Sequence, residues 1–191
     1  MLDQRTDRWP HRLLCVARYI PTKGHQLLCD TFATLCDQGR AGDWELWIAG
    51  TGELHEQVVR STSGRHACIK HLGFVQADEM AKVVEQCGVF VLPSTYEPWG
   101  VVVHEHACAG LPLVLSHAVG AGERFLAPGE NGVRFVAGDG ADLRKALLQL
   151  MERSDADLLL MGRHSHTLGG LWTPAEWART VMDLMKARRE A

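Results

Sequence analysis

Short, continuously apolar runs alternate with longer segments of helical spacing from residue 12 to residue 136. Runs such as residues 44–49 and 89–93 carry apolar side chains at successive positions, which is typical of strands buried on both faces. The segment between the runs at residues 12–19 and 44–49 instead carries apolar residues at Leu27, Leu28, Phe32 and Leu35, which is a helical spacing. Strands that alternate with helices predict right-handed βαβ crossovers, and these build a parallel sheet covered on both faces.

The predicted fold class is therefore α/β, a Rossmann-like doubly wound parallel sheet. The predicted strands are residues 12–19, 44–49, 68–74, 89–93, 111–116 and 133–136. The predicted helices are residues 23–39, 53–60, 77–87 and 99–109, followed by helix from residue 141 onward with a break at Gly169-Gly170. A length of 191 residues suits one domain, and we expect a single domain over residues 1–191 with a C-terminal helical tail from about residue 155.

Composition and charge narrow the function classes. A formal net charge of −3 gives no reason to expect a nucleic-acid partner. We predict no signal peptide and no transmembrane segment, because no apolar run has the required length. Six cysteines occur without a C-x-x-C pair, which favours reduced thiols and therefore a cytoplasmic location. In a full assembly, we expect the chain to lie at the periphery of a membrane. The closely spaced histidines lie two residues apart, on different sides of a helix, so no metal site is predicted.

Two loops at the predicted carboxyl edge of the sheet carry cations and glycines. Arg18 and Lys23 leave the end of the first strand and lead into a helix, where both suit a phosphate group. An ordinary solvated loop would look the same. Gly50 and Gly52 follow the second strand and allow close approach of the backbone, although a strand-to-helix turn often needs glycine for its own geometry.

Two further loops follow the fourth and fifth predicted strands. Glu97 lies just before a helix start, and Glu105 lies two turns further on among apolar residues. A carboxylate accepts hydrogen bonds from two vicinal hydroxyls, so this pair suits a sugar; the alternative is a helix-capping anion and a surface residue. The turn at residues 120–124 is rich in glycine and could nest an anion or be a plain turn.

These motifs together resemble the C-terminal lobe of retaining glycosyltransferases of the GT4 type (glycosyl transferases group 1), which have the two-lobed GT-B fold. The string PSTYEPWGVVVHEHACAGLPLVLS follows the family string and contains its E-x7-E signature at Glu97 and Glu105. Arg18 and Lys23 match the family's R-x4-K-G, and IAGTGEL matches its strand-Gly-x-Gly turn. The resemblance runs from about Arg12 to the end of the chain and implies that the whole chain is one donor-binding lobe.

The resemblance also implies a role for each motif. Arg18, Lys23 and Glu97 would be the catalytic residues, the two cations on the donor diphosphate and the carboxylate on the donor sugar. Glu105 would bind the ribose hydroxyls. The remaining substrate-binding residues would be Gly50, Gly52, Leu72, Gly73, Phe74, Trp99, Gly100 and Val101. The donor would be a UDP-, GDP- or ADP-linked sugar, transferred with retention and without a metal or other cofactor.

Two features depart from the family pattern. His104 and His106 flank the second glutamate, where smaller residues are frequent, and the turn at Gly120 lacks the family's Gly-Gly-x-Pro-Glu. Each histidine belongs either to the site or to a structural position, the latter being favoured for His106. The match also begins almost at the first residue, so we expect the N-terminal acceptor lobe to be absent and supplied, if at all, in trans.

Three functions stay open at this point. The chain is a donor domain of a glycosyltransferase, a non-catalytic nucleotide-sugar-binding subunit that needs a partner lobe, or an interaction module. The final helix, with Trp177, Val181, Leu184 and Met185, corresponds to the family helix that packs on the N-terminal lobe, or it packs on its own domain.

Overall fold

A computed structural model describes residues 9–187 and contains one six-stranded, wholly parallel sheet in the order β3-β2-β1-β4-β5-β6. The strands are β1 (Arg12–Val16), β2 (Glu45–Ala49), β3 (Ile69–Gly73), β4 (Val89–Leu92), β5 (Leu113–Ser116) and β6 (Gly132–Phe135). This is the strand order of the Rossmann fold, in which the chain winds outward in both directions from the β1/β4 junction. The predicted fold class is confirmed.

Helices connect the strands and continue beyond the last one. They are α1 (His25–Asp37), α2 (His55–Arg60), α3 (Ala77–Glu85), α4 (Val101–Cys108), α5 (Gly122–Phe125), α6 (Gly140–Met151), α7 (Asp155–Gly170) and α8 (Pro174–Ala187). Within residues 9–187, none of these helices has the length and apolarity needed to cross a membrane.

The sheet buries apolar side chains on both faces, which explains its continuous apolar strands. Along β1, Leu13 and Cys15 belong to the cluster packed beneath α1 and α6, whereas Leu14 belongs to the cluster beneath α3 and α4. The same alternation continues along β4, where Val89 faces the first cluster and Phe90 the second. Successive side chains of a strand point to opposite faces, so a strand covered on both sides must be apolar throughout.

The prediction that the first strand extends to Tyr19 is wrong. β1 ends at Val16, although the backbone continues to pair with the loop after β2: Ala17 N bonds Ala49 O at 3.1 Å and Tyr19 N bonds Thr51 O at 2.9 Å. Between these two bonds, the loop after β2 turns at Gly50, whose φ is +137°. The regular ladder therefore ends where the glycine turn begins, and Tyr19 is buried by its surroundings rather than by a strand.

Several helix boundaries differ from prediction, and two of the differences have a clear physical cause. The helix expected from residue 99 begins at Val101, because Gly100 adopts a φ of +96° and acts as its N-cap. The helix expected from residue 141 onward is three helices. Ser154 caps α7 by accepting a hydrogen bond from Asp157 N, and this separates α7 from α6.

The predicted break at Gly169-Gly170 falls slightly too early, since both glycines are the last residues of α7 and the break follows at residues 171–173. Gly169 is required by packing: a Cβ there would overlap the backbone of Cys108 in α4. The side chains of Trp177 and Leu184 in α8 lie outside the described residues.

Candidate functional site

The strand order reverses direction at the β1/β4 junction, and the region between the diverging loops at the carboxyl end of these strands is here named the crevice. The crossover from β1 leads towards β2 on one side, whereas the crossover from β4 leads towards β5 on the other, so the loops after β1 and β4 diverge. Ligands of open α/β sheets bind at such a switch point. All the loops singled out in the sequence follow the carboxyl ends of strands, so parallel pairing gathers them at this edge.

The loop after β1 is held against the loop after β4 by their backbones. Pro21–Lys23 form a single 3₁₀ turn, and Gly24 follows with a φ of +69°. A Cβ on Gly24 would overlap the carbonyl oxygen of Pro93, and Thr95 N donates to Thr22 O at 2.8 Å. The distance between the two loops is thus fixed by main-chain contacts before any side chain is considered.

Lys23 and Glu97 meet across this junction. Lys23 Nζ lies 2.5 Å from Glu97 Oε2, and the two side chains are 15% and 16% exposed. The side chain of Arg18, from the same loop as Lys23, is exposed to solvent. The structure therefore brings two of the three predicted catalytic residues into direct contact, and the third, Arg18, lies exposed on the same loop as Lys23.

The start of α4 lies beside this pair. Gly100 caps the helix without a side-chain hydrogen bond, and a Cβ there would come within 3.1 Å of Glu97 Cγ. Val101 is 61% exposed, and Glu105, four residues further on, is exposed on the same helix face. Trp99 is also exposed and meets Phe125 edge to face, with ring centroids 6.2 Å apart. Val101 and Glu105 thus lie on one exposed face of α4, next to the largely buried Glu97 and the buried Gly100.

The loop after β2 and the end of β3 form the other wall. A Cβ on Gly50 would overlap Ala17 O, and one on Gly52 would overlap the backbone of Tyr19. Gly50 N also donates to Gly73 O at 2.7 Å, which connects this loop to β3. Both glycines are therefore required by close backbone packing, so the structural interpretation of this motif holds.

The segment predicted to face the base lies at the end of β3. Leu72 and Gly73 are half-buried, whereas the side chain of Phe74 is 70% exposed. A single exposed aromatic ring is common on a protein surface, so the position of Phe74 is compatible with a base but does not by itself indicate one.

The glycine-rich turn at residue 120 supports the loop after β4. Gly120 N donates to Glu97 O at 2.9 Å and Ala121 N donates to Trp99 O at 2.7 Å. Glu97 also forms an isolated parallel bridge with Val119. This turn positions the backbone of Glu97, while the side chain of Glu123 is engaged by Arg134.

A cluster of four rings beneath the loops was not predicted. Tyr19 stacks on His25 at 4.0 Å, meets His55 edge to face and donates its hydroxyl to His71 Nδ1 at 2.7 Å. His71 in turn donates from Nε2 to Gly64 O at 2.9 Å. Burial lowers the pKa of His25 to about 4 and also lowers that of His71, so both rings are neutral near neutral pH. In the sequence, these histidines are visible only as residues near glycine turns, and their spacing does not show that they meet in the fold.

Both histidines that flank Glu105 are structural. His106 is buried, stacks on Phe90 and bonds Val102 O, and burial lowers its pKa to about 4. His104 stacks on Phe125 with centroids 4.5 Å apart, and its Nε2 lies 3.0 Å from Gly169 O. The hypothesis that His104 belongs to the site is not supported, because its ring is engaged between α5 and α7.

Comparison with known proteins adds a family to this geometry. Residues 10–153 match the family described as Glycosyl transferases group 1. An uncharacterized glycosyltransferase of Methanocaldococcus jannaschii is 33% identical over 111 residues, which cover 56% of the chain and 27% of that protein. The lipopolysaccharide core biosynthesis glycosyltransferase LpsE of Rhizobium meliloti is 27% identical over 181 residues, which cover 92% of the chain and 50% of LpsE.

Among solved structures, Anabaena HepE in complex with UDP and glucose is similar, with a TM-score of 0.75 and 20% identity over 93% of the chain and 48% of HepE. The chain therefore matches one lobe of the GT-B fold and spans half or less of the length of these relatives. The sequence match over residues 10–153 places the chain in the glycosyl transferases group 1 family.

Proposed function

We propose that this domain binds the nucleoside diphosphate part of an activated sugar at the β1/β4 switch point and is the donor domain of a retaining glycosyltransferase. The observation that carries the proposal is the Lys23–Glu97 pair, in which a cation and a carboxylate from diverging loops meet in the crevice of the fold. An activated sugar carries a phosphate group next to a sugar ring, so a cation for the phosphate and a carboxylate for the sugar are needed side by side. The acceptor is left unassigned.

The two cations are assigned to the diphosphate. When the bond between the sugar C1 and the diphosphate oxygen breaks, the electron pair leaves with the diphosphate and negative charge grows there. Lys23 offers a point charge in a position only 15% exposed, and Arg18 offers a planar fork from the same loop. Charge stabilisation of this kind is strongest where water is excluded. No metal or other cofactor is needed in this scheme, because the two side chains supply the positive charge.

The two carboxylates are assigned to hydroxyl groups. Glu97 would release Lys23 to the phosphates and accept hydrogen bonds from the donor sugar, near the backbone of Trp99, Gly100 and Val101. Glu105, exposed one turn along α4 from Val101, would accept the vicinal hydroxyls of the ribose. The exposed N-terminus of α4 favours negative charge and lies on the same surface.

The base is assigned to the other wall of the crevice. Leu72, Gly73 and the exposed ring of Phe74 lie at the end of β3, next to Gly50, and Gly52 lies on the same loop. UDP is the first nucleotide to test, because the HepE complex contains UDP. GDP and ADP remain the comparison ligands, since no side chain on this wall selects among the three.

Catalysis also requires an acceptor, and the relatives are about twice as long as the matching region or longer. We therefore place the acceptor site on a second lobe, in the same chain or in a partner. The alternative is a nucleotide-sugar-binding subunit or interaction module without transferase activity of its own.

Calorimetric titration of the chain with UDP, GDP and ADP tests the donor site. We expect one nucleotide to bind more tightly than the others, and Lys23→Ala to weaken it about 10- to 100-fold, since a hydrogen bond to a charged group is worth about 1.5–3 kcal/mol. Lys145→Ala is the matched control, because Lys145 is an exposed lysine of α6 far from this edge. Equal affinities of the parent and Lys23→Ala proteins for the nucleotide would overturn the assignment.

Transfer and its stereochemistry need a second experiment. The chain is mixed with the chosen nucleotide sugar and its second lobe, and the anomeric configuration of the product is read by NMR. Product with the donor's configuration supports retention, and inverted product contradicts it. Nucleotide binding with neither transfer nor hydrolysis in the presence of that lobe would favour the binding-subunit alternative.

A further inference from the structure

Three potential metal ligands converge at a place remote from the nucleotide crevice. One ligand atom each from Cys36, His66 and Cys68 lies within 4.8 Å of the other two. All three side chains are half-buried, and both cysteines are free thiols. The cluster is therefore accessible enough to load and sheltered enough to hold an ion.

The topology explains why these residues meet. Helix α1 runs back along the sheet and ends at Asp37, so Cys36 lies in its last turn. His66 and Cys68 precede β3, which starts at Ile69 at the same end of the sheet. The cluster thus lies at the amino end of the edge strand, whereas the switch-point crevice lies at the carboxyl ends of β1 and β4.

The ligand set has the chemistry that zinc prefers. Zinc binds cysteine sulfur at about 2.3 Å and histidine nitrogen at about 2.0–2.1 Å in tetrahedral sites. Ligand atoms around one such ion are separated by roughly 3.5–3.8 Å, so a cluster within 4.8 Å needs side-chain shifts of about 1 Å at most to close on it. Two thiolates would balance the charge of the ion.

The histidine is oriented as a zinc ligand should be. His66 Nε2 lies 3.3 Å from Asp37 Oδ1, which gives Nε2 the proton. Its Nδ1 then carries the lone pair and faces Cys68, whose backbone N–H donates to it at 3.2 Å. Ligating histidines commonly donate their second N–H to a carboxylate, which fixes the tautomer and the ring orientation.

We propose that Cys36, His66 and Cys68 bind a zinc ion, with a solvent molecule as the fourth ligand and Asp37 as the outer partner of His66. The ion ties the end of α1 to the segment that leads into the edge strand. On binding, the metal replaces the Cys68 backbone N–H at the Nδ1 lone pair, that N–H is freed, and two thiol protons are released to solvent.

Cobalt substitution tests the proposal with a readout independent of nucleotide binding. The reduced, chelator-treated chain is titrated with Co²⁺, and we expect one equivalent to produce thiolate-to-cobalt charge-transfer and tetrahedral d–d bands, which Zn²⁺ then removes. Cys36→Ser, Cys68→Ser and His66→Gln are expected to bind at least 100-fold more weakly. Cys108→Ser, at a half-buried cysteine of α4, is the matched control and keeps the bands.

One further variant and one further measurement separate ligation from folding. Asp37→Asn is expected to weaken binding about 10- to 100-fold while leaving the bands in place, as for an outer-shell carboxylate. Zn²⁺ should raise the unfolding temperature of the parent and Cys108→Ser proteins but not of His66→Gln.

Three results would overturn the proposal. The first is the lack of charge-transfer bands from the reduced parent protein. The second is an unchanged affinity in the three ligand variants, which would place the ion elsewhere. The third is a Cys36–Cys68 disulfide that forms in air while metal uptake by the reduced protein stays undetectable.

Discussion

The two halves of the sheet build their carboxyl edge differently. In the β1–β3 half, loop conformation depends on rings: Tyr19 lies among three histidines and is bonded to His71 at the end of β3. In the β4–β6 half, backbone bonds join Gly120 to Glu97 and Ala121 to Trp99. Main-chain bonds also join the loops of the β1–β3 half, such as Gly50 N to Gly73 O, so the difference is the buried cluster of rings that this half adds beneath its loops.

The difference bears on the position of the charged pair. Lys23 belongs to the β1–β3 half, which contains the ring cluster, and Glu97 belongs to the β4–β6 half, in which backbone bonds hold its loop. Contact between Gly24 and Pro93 sets the spacing of the two halves. A rigid framework on each side of the junction pre-organises the two groups, so little of the binding free energy of a ligand is spent on ordering them.

The largest expected effect is on stability and comes from glycines in close backbone contact. A Cβ at Gly50 would overlap Ala17 O, and one at Gly120 would overlap Pro98 O. We expect Gly50→Ala and Gly120→Ala each to lower the free energy of unfolding by about 3 kcal/mol or more in urea denaturation, because a backbone clash adds to conformational strain at Gly50. Gly42→Ala is the control: its φ is +58° with open space around it, so strain alone should cost about 1 kcal/mol. Equal losses in all three variants would remove the distinction between glycines that pack and glycines that merely turn.

The next effect is a pH dependence shared by both halves. Burial lowers the folded-state pKa of His25 and of His106 to about 4, below the ordinary 6.5. Between pH 6.5 and 4 the unfolded chain binds these protons and the folded chain does not. Stability should therefore be full above pH 6.5 and fall as pH is lowered, by about 1.4 kcal/mol per pH unit per histidine.

Unfolding of single variants at several pH values assigns this slope. His25→Phe in the ring cluster and His106→Phe in α4 should each flatten it, whereas His117→Ala, at an exposed position, should leave it unchanged. A slope that only one of the two buried-site variants alters would show that the halves differ in how they exclude protons as well as in how they are built.

The third effect concerns the pair at the junction. Glu97 engages Lys23, so the carboxylate competes with any phosphate for that ammonium. We expect Glu97→Gln to bind free nucleoside diphosphate as tightly as the parent or several-fold more tightly, although Lys23→Ala binds it about 10- to 100-fold more weakly. Calorimetry on both variants measures the asymmetry. A loss of equal size in both would mean that the ion pair acts as a structural unit rather than as two ligand groups.

Residue patterns were sufficient for the layers of the fold and for part of the site. Continuous apolar runs predicted six strands, since only a doubly covered sheet buries every side chain of a strand. The E-x7-E and R-x4-K spacings singled out Glu97 and Lys23 through a resemblance to a family, and the predicted parallel sheet placed their loops at the same edge. Each of these patterns lies within a short stretch of sequence, so it can be recognised before the structure is known.

The ring cluster and the cysteine cluster were missed because they depend on tertiary distances. His25 and His71 are 46 positions apart in the chain, and Cys36 and Cys68 are 32 apart, so no motif window contains either set. The boundaries that moved, at Val16 and Val101, depend on the positive-φ glycines Gly50 and Gly100, and the close contact of Gly50 comes from the backbone of another loop.

The smallest effect isolates a single hydroxyl in the ring cluster. Tyr19→Phe keeps the stacking on His25 but removes the 2.7 Å hydrogen bond to His71 Nδ1, leaving that lone pair without its donor. We expect a loss of about 1 kcal/mol in the free energy of unfolding. Tyr96→Phe, at an exposed tyrosine, is the control and should change nothing measurable. Because His71 lies in β3 beside Leu72 and Gly73, the same variant should weaken nucleotide binding by a few-fold through the base wall, with Lys23 and Glu97 untouched. Lowered stability with unchanged affinity would confine the cluster to a role in folding and would leave the β4–β6 half to position the ligand by itself.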